Sequence, residues 1–105
     1  MATASLNAVG DAITVTSPVM NLNNTSGGSL TLTSTPTIAA GATAGTRVTF
    51  VNTGANAVVL QRNATLGGSL LKLGDFSRPI GTYGTLTLLF YNGFWIEESY
   101  TASAS

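Results

Sequence analysis

The chain has no cysteine and no histidine. Without histidine, Ser-His and Cys-His nucleophile arrangements cannot form within it. Without either residue, a zinc site would need carboxylates alone, and Asp11, Asp75, Glu97 and Glu98 are mostly far apart along the chain. The absence of cysteine also removes disulfides and thiolate chemistry, and leaves the redox compartment undetermined. Charge is scarce: 8% of residues are charged, against roughly 25% in an ordinary soluble domain, and four basic and four acidic side chains cancel. The cations Arg47, Arg62, Lys72 and Arg78 are scattered, which argues against nucleic acid, where binding rests on clustered Lys and Arg. No apolar run approaches the ~18 residues of a membrane helix. The opening "MATASLNAVGDAITV" lacks the basic and apolar regions of a signal peptide, so synthesis in a cytoplasm is expected.

Other chemistry is equally thin. Gly27-Gly28 and Gly67-Gly68 lack the Lys-Ser/Thr that follows a phosphate-cradling loop. Glu97 and Glu98 alternate faces on a strand and so cannot form a dyad with each other. A pairing of Glu97 with Asp75 would need a chance meeting of two of the four acids. Sequons at Asn23, Asn24 and Asn63 carry little weight where Ser and Thr are so common. The expectation is no enzyme: no catalytic residue, no metal and no cofactor.

What remains is a shape. With 105 residues, 44% of them hydrophobic, the chain can form one domain. Apolar residues do not recur at helical spacing. Short runs of Leu and β-branched residues between Gly, Pro and Asn point instead to strands. The pattern predicts Ala12–Ser17, Ser29–Thr33, Arg47–Asn52, Ala57–Arg62, Ser69–Leu73, Thr85–Tyr91 and Phe94–Tyr100, hence an all-β fold. The expected form is a small antiparallel β-sandwich or β-prism-like domain of about seven short strands over residues 12–100. Residues 1–11 read as an N-terminal arm and residues 101–105 as a small polar tail.

An internal likeness is present. "NNTSGGSL" at Asn23–Leu30 and "NATLGGSL" at Asn63–Leu70 agree at six of eight positions, 40 residues apart. Pro36 and Ile38 are echoed by Pro79 and Ile80, and Phe50-Val51-Asn52 by Phe90-Tyr91-Asn92. A duplicated three-stranded unit is expected, with the two Gly-Gly pairs at equivalent corners.

The segment "FYNGFWIEE", Phe90–Glu98, holds the only Trp, two of the four Phe and two of the four acids. Asn92-Gly93 is a strong two-residue hairpin signal. That turn pairs Tyr91 with Phe94, Phe90 with Trp95, Leu89 with Ile96 and Leu88 with Glu97. One face then carries Leu86, Leu88, Phe90 and Trp95; the other carries Leu89, Tyr91, Phe94 and Ile96, then Glu98 and Tyr100. A half-buried antiparallel hairpin should have one polar face. Here either the hairpin is central in a small sandwich, or a second copy covers one side. The low charge favours the oligomer, because near-zero net charge promotes association.

The ending "GTLTLLFYNGFWIEES" resembles the close of a small β-module found in structural proteins of tailed bacteriophages, where a Leu-Thr-Leu strand runs into an Asn-Gly turn, then Trp, one residue and Glu. "AITVTSPVMNL", "TAGTRVTFVNTGANAVVL" and "LLKLGDF" fit the same module, so the resemblance covers about Ala12–Ser99. It implies a trimeric β-structure, either at the end of a tail fibre or spike or alone as a head decoration (cement) protein. The absence of a shaft or stalk favours decoration. The resemblance then implies a homotrimer bound to the major capsid protein on the virion surface. Asn92, Gly93, Trp95 and Glu97 match the module's signature as fold residues. The expected trimer-packing residues are Phe90, Tyr91, Phe94, Trp95 and Ile96, and an arm carrying Leu6, Val9 and Asp11 is expected to order on the capsid. The competing expectations are a receptor- or glycan-binding fibre module, with Trp95, Tyr91 and Tyr100 stacking on sugars, and a β-domain without a partner.

Overall fold

The computed structural model describes residues 2–41 and 43–104. The fold is all-β, with nine strands among the described residues: β1 Ala2–Leu6, β2 Val19–Asn24, β3 Leu30–Thr31, β4 Arg47–Val51, β5 Val58–Gln61, β6 Leu71–Lys72, β7 Ser77–Ile80, β8 Thr85–Tyr91 and β9 Phe94–Thr101. They form a six-stranded sheet in the order β1-β2-β4-β8-β9-β6 and a three-stranded sheet in the order β3-β5-β7. Alternation in the sequence becomes alternation in burial: Leu86, Leu88 and Phe90 point inward along β8, while Thr85, Thr87 and Leu89 do not. The inward residues of both sheets join Ile13, Leu32 and Ile38 from the connections in one hydrophobic cluster. Each large side chain enclosed there stabilises the fold by about 1.5–3 kcal/mol.

The sheets are mixed rather than antiparallel. β1–β2, β2–β4, β3–β5 and β6–β9 run parallel. Parallel neighbours need long crossovers, and Asn7–Pro18 supplies one between β1 and β2. The expected strand at Ala12–Ser17 reduces to a single bridge between Ile13 and Ile38. Pro18 explains the interruption. Its carbonyl accepts the Thr49 N–H, but it has no N–H of its own, so the ladder with β4 starts only at Val19.

Five of the eleven residues of the expected arm form a strand. Ala2–Leu6 pairs along its whole length with β2, and Leu6 is buried, so neither is free to order on a partner. The expected tail is tied as well: the Ala102 carbonyl accepts the Gly81 N–H, and the Ala104 N–H donates to the Thr82 carbonyl. Met1 and Ser105, the ends of these two segments, lie outside the described residues.

The duplicated unit is not a structural repeat. Both Gly-Gly-Ser-Leu segments lead into two-residue strands that pair parallel with a later strand, β3 with β5 and β6 with β9. But β3 belongs to the small sheet and β6 to the large one. The left-handed residue is Gly27 in the first segment and Gly68, then Leu70, in the second. The corners therefore turn differently, and the sequence likeness reflects shared turn chemistry rather than equivalent positions.

Candidate functional site

The β8–β9 hairpin forms in the expected register: Tyr91 opposite Phe94, Phe90 opposite Trp95, Leu89 opposite Ile96 and Leu88 opposite Glu97. Asn92 and Gly93 turn the chain with φ of 55° and 84°. Both values lie in the left-handed region that a two-residue hairpin turn demands.

The inward face belongs to the core. Trp95 is fully buried, its indole Nε1 donates to the Ala39 carbonyl at 3.1 Å, and its ring lies 5.0 Å from that of Phe90. Phe90 is 8% exposed, and a Cβ on Gly41 would come within 2.8 Å of its ring. Backbone thus presses on the aromatic pair with no room for a side chain. Trp95 and Phe90 are correspondingly taken up by the chain's own core rather than by an interface, with Ala39 and Gly41 against them.

The outward face keeps its apolar residues. Tyr91 is 58% exposed, and Leu89, Phe94 and Ile96 are half-buried. The strand registers set Arg47, Leu89, Ile96 and Lys72 in one row across β4, β8, β9 and β6. The Lys72 ammonium lies 4.2 Å from the centre of the Phe94 ring, and Arg47 grips Glu98 through Nε–Oε1 at 2.8 Å and Nη2–Oε2 at 3.2 Å. The apolar patch is therefore flanked by two cations whose charge is already engaged. Further from the turn the same face is hydroxyl-rich. Val19, Thr49, Thr87 and Ser99 form one row, and the Thr49 and Thr87 hydroxyls are hydrogen-bonded at 3.0 Å.

A bulge changes the far end of β9. Leu88 faces Glu97 and Thr87 faces Ser99, so Glu98 is an extra residue. Past it, Tyr100 comes opposite Leu86 and packs against the core rather than on the outer face. Its hydroxyl donates to the Pro79 carbonyl, and the Arg78 guanidinium lies 4.4 Å from the centre of its ring. Burial raises the Tyr100 hydroxyl above its usual value of 10.0; Arg78 lowers it and Glu97 raises it.

Glu97 is half-buried and paired. Its carboxylate accepts both Nε and Nη2 of Arg78, at 2.7 and 3.0 Å, with little of either side chain exposed. The pair ties β9 of the large sheet to β7 of the small one. Of the expected arm residues, Leu6 is core, while Val9 is 52% exposed. The Asp11 carboxylate accepts the N–H groups of Asn7 and Ala8 at 2.9 and 3.1 Å, closing the turn after β1.

Sequence spacing did not reveal the partners of the cations. Arg62 lies 4.2 Å from the Phe76 ring, Lys72 and Arg78 cover Phe94 and Tyr100, and Arg47 holds Glu98. These contacts join residues distant in the sequence, so no local motif announces them. No protein-family model matches the chain, and neither a characterised relative nor a similar solved structure was found.

Proposed function

We propose that this chain is a structural protein of a bacteriophage particle, a decoration protein that binds the outside of the head as a homotrimer and stabilises the shell. The observation that carries the reading is the outward face of the β8–β9 hairpin. After the core has taken Phe90 and Trp95, this face still presents Leu89, Tyr91, Phe94 and Ile96. Large side chains clustered on a surface mark an association site more often than a free one. The scarcity of charge and the resemblance over Ala12–Ser99 support the same reading.

The mechanism is mechanical. Tyr91, Phe94 and Ile96 pack copies together, and each copy then makes a modest contact with the coat. Three linked contacts act at high effective concentration, so the assembly holds where a single copy would not. By binding the expanded shell more tightly than the unexpanded one, the trimer favours it by mass action. Val9, exposed beside the Asn7–Asp11 turn, is the remaining arm residue placed to meet the coat.

The glycan-binding alternative has less support. Of its three aromatic residues, Trp95 is enclosed and Tyr100 is held between Arg78 and the Pro79 carbonyl, which leaves Tyr91. The deciding experiment mixes the purified protein with empty heads and pellets them, alongside light scattering of the free protein. Co-sedimentation and a mass of three copies, or a whole multiple of three, are expected. A monomer that stays in the supernatant overturns the reading.

A further inference from the structure

Sheet edges carry unpaired N–H and C=O groups and are usually blunted by short length, charge, proline or irregularity. Three of the four edges here are blunted in this way. β3 and β6 are two residues long, and β6 ends in Lys72. β7 carries Arg78 and Pro79. The fourth edge, β1, is five residues of regular strand with the sequence ATASL, holding no charge, proline or bulge.

The direction of its free groups follows from the pairing. The Leu6 carbonyl accepts the Thr25 N–H on the β2 side. Successive residues of a strand point their main-chain groups to opposite sides, so Ala2, Ala4 and Leu6 face β2, while Thr3 and Ser5 face the open edge. The next outward group, the Asn7 N–H, is already taken by the Asp11 carboxylate. The open stretch is therefore Thr3–Ser5, two donors and two acceptors about a centre at Ala4.

We propose that β1 pairs with β1 of a second copy, antiparallel about a two-fold axis at Ala4, joining two large sheets edge to edge. Thr3 then lies opposite Ser5 of the second copy and exchanges both hydrogen bonds with it, and Ser5 does the same with Thr3. The strand fits itself: the contact is isologous, its side chains are small, and no like charges meet across it. This contact is separate from the hairpin face and doubles the mass of whatever closed assembly that face makes.

The test is sedimentation of the full chain beside Ser5→Lys, which places a charge on the edge, and Ser5→Pro, which removes an outward N–H unused within the fold. Wild type should have twice the mass of either variant, and its Thr3 and Ser5 amides should be protected from hydrogen exchange at high concentration and lose that protection on dilution. Equal masses for wild type and folded variants overturn the proposal. So do Thr3 and Ser5 amides that exchange at free-peptide rates in concentrated wild type, a measurement that stands even if a variant fails to fold.

Discussion

The side chain of Asn52 holds the carbonyl of Ile80: Nδ2 donates to it at 2.8 Å, from the end of one sheet to the edge strand of the other. The same nitrogen donates to the Asn56 carbonyl at 2.8 Å, and Oδ1 accepts the Gly54 N–H at 2.9 Å. Asn52 is fully buried, and so is Ile80, whose carbonyl has little else to bond. Replacing Asn52 by alanine should cost about 2–4 kcal/mol: a buried carbonyl left unpaired costs about 1–3 kcal/mol, and each of the other two lost hydrogen bonds about 0.5–1.5 kcal/mol. Asn92→Ala, at the exposed turn, should cost only about 1–2 kcal/mol for a left-handed alanine. Urea denaturation of the two variants gives the ordering; equal losses would show that Asn52 is not a clamp.

Trp95→Ala should destabilise the fold itself by about 3–5 kcal/mol, the cost of truncating a large core residue. The double change Tyr91→Ser and Ile96→Ser should behave in the opposite way, leaving the fold nearly as stable while lowering the assembled mass. Thermal melting and light scattering on both variants separate the two faces of the hairpin.

Gly41→Ala should cost about 1–3 kcal/mol, because the new methyl group meets the Phe90 ring at 2.8 Å and a packed core gives way poorly. Pairing it with Phe90→Leu should recover part of the loss. A double-mutant cycle checks this: simple additivity would place the strain elsewhere.

Tyr100 supplies an alkaline limit. Burial is the main cause holding its hydroxyl above 10.0. The folded state therefore keeps its proton where the unfolded chain has lost it. That contribution is complete below pH 10 and fades as pH rises through the higher folded value. Denaturation midpoints between pH 9 and 12 should fall more for wild type than for Tyr100→Phe. Parallel curves would remove Tyr100 as the cause.

The hairpin was legible because its signal is local: Asn92-Gly93 fixes the turn, the turn fixes the register, and alternation along β8 fixes the faces. The sequence could not say which face the rest of the chain would cover. That depended on Gly41 and Ala39 returning against Phe90 and Trp95 from fifty residues away. β2 was missed because Asn21, Asn23 and Asn24 disfavour strands in isolation, although Met20 and Leu22 alternate with them into the core. β1 was missed because four small residues ahead of Leu6 gain their strand from a neighbour rather than from their own preference. Phe50-Val51-Asn52 and Phe90-Tyr91-Asn92 look alike, yet Gly93 completes a turn after one Asn, while Thr53 leaves the other to be buried. The bulge at Glu98 left no mark in the sequence, and with it went the true position of Tyr100.

The row of threonines on the outer sheet has a practical corollary. Hydroxyls keep that face wet without ions, and its two flanking cations are already occupied, so dissolved salt finds little there to screen. Strongly hydrated salts such as sulfate tighten apolar contacts instead. Copies fastened together through such a face would stay joined in brine and in dilute buffer alike.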